Sequence, residues 1–269
     1  MVHPNVDLWS GGQLIEKAQG AYRLLQVSDT HLCAAPSLPT AEAPVDQRWQ
    51  ATQARLTEWA GSADAIVHTG DVSDDGSAAA CQRVAKGLRA LNLPGQILPG
   101  NHDEPAALLQ TFAPGDPLSL ARVLDLGAWQ VIGLDSREPG AVSGHLCEAE
   151  LSALDATLAD AGDAWILLAV HHPPVSVNCA WLDAIGLNNG QALLDRLGAN
   201  ARVAGVISGH VHHAFETMYA GRPVLTAPAV SVQFLAGSND FAIASGPPAF
   251  RWLDLCPDGT IQTGIEEID

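Results

Sequence analysis

Up to residue 210, short apolar runs alternate with helical stripes. LLQVS at 24–28, AIVHT at 65–69, QILP at 96–99, QVIGL at 130–134, AWILLAV at 164–170 and RVAGVIS at 202–208 read as strands. Between them, Cys81, Val84, Leu88 and Leu91 step by three and four, as do Leu151, Leu154, Leu158 and Ala161. That spacing gives a helix one buried face. Ser77 is placed to cap the first of these helices, and Leu193, Leu194 and Leu197 mark another. Past residue 210 the segments shorten and turn signals intervene, AGRP at 220–223 and PDGT at 257–260, so the C-terminal third is expected to be β-rich and antiparallel. The stretch APSLPTAEAPVD at 35–46 reads as a surface loop.

A chain of 269 residues that is 47% hydrophobic can bury a large core, and the pattern reads as a single α/β or α+β domain over 1–269. A formal charge of −17 argues against surfaces that track nucleic-acid phosphates or anionic membranes, since those need clustered Lys and Arg. Five cysteines without CxxC spacing suggest reduced thiols, and Cys33, two residues beyond His31 and so within reach of any site there, reads rather as a buried small hydrophobe. With no long apolar span and no basic-then-apolar leader in MVHPNVDLWSGG, the expectation is a cytoplasmic protein.

Chemistry concentrates just past the strands. Asp29 and His31 follow the first, Asp71 the second, Asn101 and His102 the third, His171 a later one, and His210 with His212 the last. Loops beyond the C-terminal ends of such strands converge, so these residues are expected to share one crevice. Two carboxylates, four imidazoles and an amide oxygen, with no thiolate, suit two divalent ions such as manganese, iron, zinc or cobalt. A pair of that kind activates water and clamps a phosphoryl group, with one carboxylate shared, and Asp71 is the natural bridge. Each fragment by itself is an ordinary polar turn. His3, His68 and His145 read as surface or core histidines, and His172 and His213 as supports for neighbouring ligands.

The succession DxH, GDxxD, GNHD, HHPP and GHVH resembles the signature of calcineurin-like metallophosphoesterases over residues 22 to 235. The resemblance implies a four-layer αββα sandwich. It implies one metal on Asp29, His31, Asp71 and His212 and another on Asp71, Asn101, His171 and His210, with His102 facing the phosphate. Substrate would meet His31, Asp71, Asn101, His102 and His212. RLLQVSDTHL, PGNHDEP, the segment 171–197 and TAPAVSVQF are similar to bacterial class III 3',5'-cyclic AMP phosphodiesterases. That likeness implies Fe2+ or Mn2+, hydrolysis of cyclic AMP to 5'-AMP by a metal-bridging hydroxide, and His102 as acid. It also implies a small phosphodiester as partner rather than nucleic acid or membrane, and leaves a homodimer open. Glycerophosphodiesters or 2',3'-cyclic nucleotides are the alternative substrates, a nuclease is a further one, and a phosphate-sensing scaffold is the non-enzymatic alternative. The segment 178–189, through Asn178, Trp181, Asn188 and Asn189, is expected to shape a nucleoside pocket.

Overall fold

In this computed structural model, which describes residues 17–35 and 44–269, every expected strand forms. The chain runs β1 (Tyr22–Val27), α1 (Val45–Ala60), β2 (Ala65–His68), α2 (Ala78–Arg89), β3 (Gly95–Ile97), α3 (Pro105–Thr111), β4 (Leu118–Ser119), β5 (Val123–Asp125) and β6 (Trp129–Leu134). It continues through α4 (Glu148–Asp160), β7 (Trp165–Val170), α5 (Ala180–Asp183), α6 (Gly190–Ala199), β8 (Val203–Ser208), β9 (Phe215–Tyr219) and β10 (Arg222–Thr226). Last come β11 (Gln233–Phe234), β12 (Ile243–Ala244), β13 (Ala249–Leu255) and β14 (Ile261–Glu267). One sheet has the order β14-β13-β1-β2-β3-β4, the other β5-β6-β7-β8-β10-β9, and β11 with β12 forms a separate hairpin.

Side-chain alternation along the strands builds the layers. Leu25, Val27 and Ile66 point to one side of the first sheet and pack with Trp49, Leu56, Val84 and Leu88 from α1 and α2. Leu24, Ala65 and Val67 point to the other side and meet Val131, Leu167, Ala169 and Ile207 of the second sheet. The remaining face of that second sheet, with Ile132, Leu168, Val170 and Val206, is covered by Leu151 and Leu154 of α4 and Leu193 and Leu197 of α6. The result is the expected αββα sandwich. Each fully buried Leu, Ile or Val is worth roughly 1.5–3 kcal/mol, so a one-residue register slip, which exchanges the faces, is strongly disfavoured.

Ser77 caps α2 as expected, accepting from Ala80 N at 3.2 Å. The turn between β9 and β10 places Ala220 (φ 49°) and Gly221 (φ 77°) in the left-handed region that a tight hairpin requires. One expectation needs correction: Val45 and Asp46 belong to α1 and not to a loop, while residues 36–43 of the loop lie outside the described part. The helix was legible, because Val45, Trp49, Thr52, Leu56 and Trp59 are buried at steps of four and three.

Strands β1, β2 and β3 are parallel in one sheet, and β6, β7 and β8 in the other. Their C-terminal ends therefore open on the same edge of the sandwich. Gln26 ties the sheets there, donating to Thr69 Oγ1 at 3.2 Å and to Ser208 O at 2.9 Å.

Candidate metal centre and substrate pocket

Five donor-bearing residues sit with left-handed backbone: Asp29 (φ 53°), His31 (45°), Asp71 (53°), His210 (70°) and His212 (52°). Non-glycine residues enter that region at a cost, and such strain persists where the surroundings over-determine it. Here they do. Asp29 N donates to Gly70 O at 3.0 Å, His31 N to Asp71 O at 3.1 Å, and Gly209 N to His171 O at 3.0 Å. His210 N donates to both oxygens of Asp29, at 3.1 and 3.2 Å. The loops approach so closely that a Cβ at Gly100 would run into the Asp71 carboxylate, and one at Gly209 into Ser28 Oγ.

All seven expected ligands converge. His31 Nε2 lies 3.1 Å from His212 Nε2, 3.4 Å from Asp71 Oδ2 and 3.9 Å from Asp29 Oδ1, and His212 Nε2 lies 3.3 Å from Asp29 Oδ1. On the other side, His171 Nε2 is 3.3 Å from Asp71 Oδ2 and 3.2 Å from Asn101 Oδ1. His210 stands edge-on to His171, with ring centroids 5.2 Å apart. Asp71 is thus the carboxylate between two imidazole sets. Outer partners turn each ring: His171 Nδ1 donates to Thr69 O (2.7 Å), His212 Nδ1 to Val232 O (2.9 Å), and His31 Nδ1 to Asp74 Oδ1 (3.1 Å). His210 is held the opposite way, its Nε2 donating to Ile185 O at 3.0 Å, so Nδ1 is the ring nitrogen left without that proton.

The donor set fits cations. His31 Nδ1 and His212 Nδ1 each face a protein oxygen, so both Nε2 atoms point into the same space, 3.1 Å from one another, as two ligands of one ion would. Burial opposes the charge on Asp71, but His171, His31 and His102 outweigh it and hold the carboxyl well below the usual range. Asp29 is likewise buried and held low, chiefly by His212. Burial opposes protonation of His171, yet Asp71 and Asp29 raise its pKa to about 9. His210 goes down to about 3 through burial and the neighbouring His171. Several His and Asp groups here have ligand atoms within 4.8 Å of one another and are able to hold a metal.

His102 stands at the rim, with its ring 4.6 Å from that of His31. Its Nδ1 faces Asp74, at 3.3 Å from the carbonyl and 3.4 Å from Oδ1, and its backbone N donates to Asp71 Oδ1 at 2.9 Å. The sequence reading missed two supports. Asp103 is buried and accepts from Gly100 N, Val72 N, Ser73 N and Ser73 Oγ, pinning the second loop to the third. Asp74 orients both His31 and His102. The GDxxD and GNHD motifs carried both positions, but their partners on other loops lie 28 to 43 residues away in sequence.

His172 packs against the rings of His171 and His210, with centroids 4.8 and 4.5 Å away. It meets Ser136 Oγ at Nδ1 (2.7 Å) and Val142 O at Nε2 (3.0 Å), which leaves neither nitrogen for a metal. His68 is a core histidine, His145 is exposed, and His3 lies outside the described residues. His213 is buried beside His212. Cys33 is half-exposed and lines the pocket, contrary to the buried hydrophobe expected, because the chain passes over the rim at that point.

A cavity of about 430 Å³ opens on the cluster, bordered by His31, Asp71, Asn101, His102, His210 and His212 on one side. Its other wall is apolar: Val142, Trp181, Leu182, Ile185, Val232, Phe234, Phe241 and Ile243. Trp181 lies there as expected, but Asn178, Asn188 and Asn189 do not. Asn189 is consumed by both backbone groups of Leu146, Asn188 donates to Ser143 Oγ, and Asn178 is exposed on a turn with φ 59°. The aromatic pair of Phe234 on β11 and Phe241 in the connection to β12 is an addition to the sequence reading.

Residues 22–214 match the calcineurin-like phosphoesterase family. The chain belongs to that family. It is 35% identical over 246 residues to the 3',5'-cyclic adenosine monophosphate phosphodiesterase CpdA of Pseudomonas aeruginosa, covering 91% of this chain and 90% of that one. The CpdA of Escherichia coli K12 is 33% identical with the same coverage. A 3',5'-cyclic-nucleotide phosphodiesterase of Nostoc is 34% identical, covering 91% of this chain and 92% of its own. Among solved structures, a dimetal phosphatase from Danio rerio superposes with a TM-score of 0.63 at 16% identity, over 92% of this chain and 99% of that one, a likeness of fold. Among the described residues, no helix is long and apolar enough to cross a membrane.

Proposed function

We propose that the chain is a dimetal phosphodiesterase that hydrolyses 3',5'-cyclic AMP to 5'-AMP, acting in the cytoplasm as a single domain. The observation that carries this reading is Asp71 Oδ2, 3.3 and 3.4 Å from imidazoles of two donor sets, at the floor of a cavity with an apolar wall. The relatives named above support the choice of substrate. Asp29, His31, Asp71 and His212 would hold one ion, and Asp71, Asn101, His171 and His210 the other. Two such ions, when bound, supply Lewis-acid activation of water and neutralise phosphate charge. Fe2+ or Mn2+ is proposed, and the same donors accept Zn2+ or Co2+.

The chain's own groups do the rest. His31, Asn101, His102 and His212 border the position of the phosphate and orient it. Among the described residues no Lys or Arg lines this cavity, so neutralisation of the phosphate falls to the bound ions and the histidines. His102, steadied by Asp74, stands where it can donate a proton to the departing 3' oxygen. The apolar wall receives the nucleoside and excludes water from it. The test is product identification, with manganese-loaded protein offered 3',5'-cyclic AMP, 2',3'-cyclic AMP and glycerophosphocholine. A higher kcat/KM for either of the latter two would replace the proposed substrate.

A further inference from the structure

We propose that Phe241, on the hairpin of β11 and β12, is the side chain against which the nucleobase stacks. This deepens the phosphodiesterase reading and rests on it. The wall has an order. Phe234 lies flat on the donor ring of His212, with centroids 4.0 Å apart and planes 5° from parallel. Phe241 follows, 5.5 Å beyond Phe234 and edge-on to it at 69°. A phosphate among the donors and a base at Phe241 are thus two ring-to-ring steps apart, a gap suited to the intervening ribose.

The faces available decide which ring stacks. One face of Phe234 is taken by His212. Trp181 is half-buried, edge-on to Phe234 at 5.0 Å and to Phe241 at 5.3 Å, and packed on the cluster of Val177, Cys179, Leu182 and Val211. Trp181 therefore buttresses the slot. Phe241 is 62% exposed while lining the cavity, and Val142 (52%) and Ile243 (43%) share that combination. Large apolar side chains left in water around a cavity mouth mark a binding surface, and a purine offers a flat partner of matching character. Its aromatic ring gives the slot a preference for a nucleoside over an alkyl ester.

The ring is also pre-positioned. Phe234 pairs with Ile243 across the hairpin, Leu235 N donates to Ala242 O at 2.8 Å, and Phe234 N donates to His212 O at 3.3 Å. Buried Cys179 donates its thiol to Ser238 O at 3.1 Å, fastening the hairpin to the start of α5. Less ordering is then left for the substrate to impose.

The experiment compares manganese-loaded wild type, Phe241→Ala and Phe241→Trp on 3',5'-cyclic AMP and on the base-free 3',5'-cyclic phosphate of 1-deoxyribose. Phe241→Ala is expected to lower kcat/KM for cyclic AMP by about five- to a hundredfold, mainly through KM. Its rate on the base-free diester should stay within about twofold of wild type, and Phe241→Trp should retain activity on cyclic AMP. An unchanged kcat/KM for cyclic AMP, or equal losses on both diesters, overturns the proposal. Equal losses accompanied by a dimer-to-monomer shift on size exclusion would assign Phe241 to a second copy of the chain instead. Wild type that cleaves bis(p-nitrophenyl) phosphate but not cyclic AMP would defeat the substrate reading itself, with no variant needed, and this inference with it.

Discussion

Asp71 and His102 are joined by one hydrogen bond: the carboxylate accepts the His102 backbone N–H at Oδ1, 2.9 Å, while its Oδ2 is turned to His31 and His171. One oxygen thereby fixes the loop that carries the rim histidine, and the other is free for the cluster. Replacing Asp71 with Ala removes the carboxylate common to both donor sets. We predict that Asp71→Ala, purified in manganese, loses both ions and not one. Elemental analysis reading two metals per folded chain would sink the shared role.

His102 is the converse case. It touches Asp74 and sits at the edge of the cluster, with its ring half-exposed. His102→Ala should keep the metal content of wild type and lower kcat on cyclic AMP by about two to four powers of ten. For a diester leaving as p-nitrophenolate, which needs little protonation, the loss should shrink. A deficit of equal size for both substrates would mean that His102 orients phosphate and does not supply a proton.

The buried Asp103 carboxylate gathers three backbone N–H groups and the Ser73 hydroxyl, and these define the paths of two donor loops. Burial, then the charge of Asp71, raises its pKa, so the site tolerates this carboxylate only because those donors face it. Asp103→Ala should cost about 3 kcal/mol or more, since each donor left unsatisfied in the interior costs about 1–3 kcal/mol. Denaturant titration of metal-free protein measures it, and a loss below about 1 kcal/mol would show that water replaces the carboxylate.

Much of this architecture was legible because two periodicities are local. Leu24, Leu25 and Val27 or Leu167 and Leu168 report a strand buried on both faces, and an Asp, Asn or His directly after such a run falls at the open edge of the sandwich. What was not legible depends on contacts across the chain. Phe234 and Phe241 sit in short apolar runs separated by Gly, Ser, Asn and Asp, and nothing local relates them to each other until the hairpin brings them to Trp181, which lies more than fifty residues earlier. Asn189 looked available for a nucleoside, yet its amide is spent on the backbone of Leu146 in a loop about forty residues away. Composition shows that a polar side chain is present. Only the fold shows whether it is already satisfied.

His68 supplies a prediction about acid stability. Its ring is fully buried, with Nδ1 accepting from Gly70 N at 3.3 Å and Nε2 3.1 Å from Thr30 Oγ1. The Thr30 hydroxyl donates its own proton to Val72 O at 2.8 Å, so His68 Nε2 is the donor in that pair and the neutral tautomer satisfies every group. A second proton, on Nδ1, would point at the Gly70 N–H. Burial is the main cause that lowers the pKa of His68 from 6.5 to about 4, with Asp29 and Asp71 offsetting part of it. Because the folded pKa is the lower one, the unfolded chain binds more protons between these values, and stability falls as pH drops from about 6.5 toward 4. The full effect amounts to roughly 3 kcal/mol, taken at 1.36 kcal/mol per unit. His68→Gln cannot titrate, so although it starts less stable, its unfolding free energy should decline less steeply over this window. Denaturant curves on metal-free wild type and variant at pH 7, 5.5 and 4.5 compare the slopes directly. Parallel declines would show that other groups carry the acid sensitivity and that protonated His68 is accommodated in the fold.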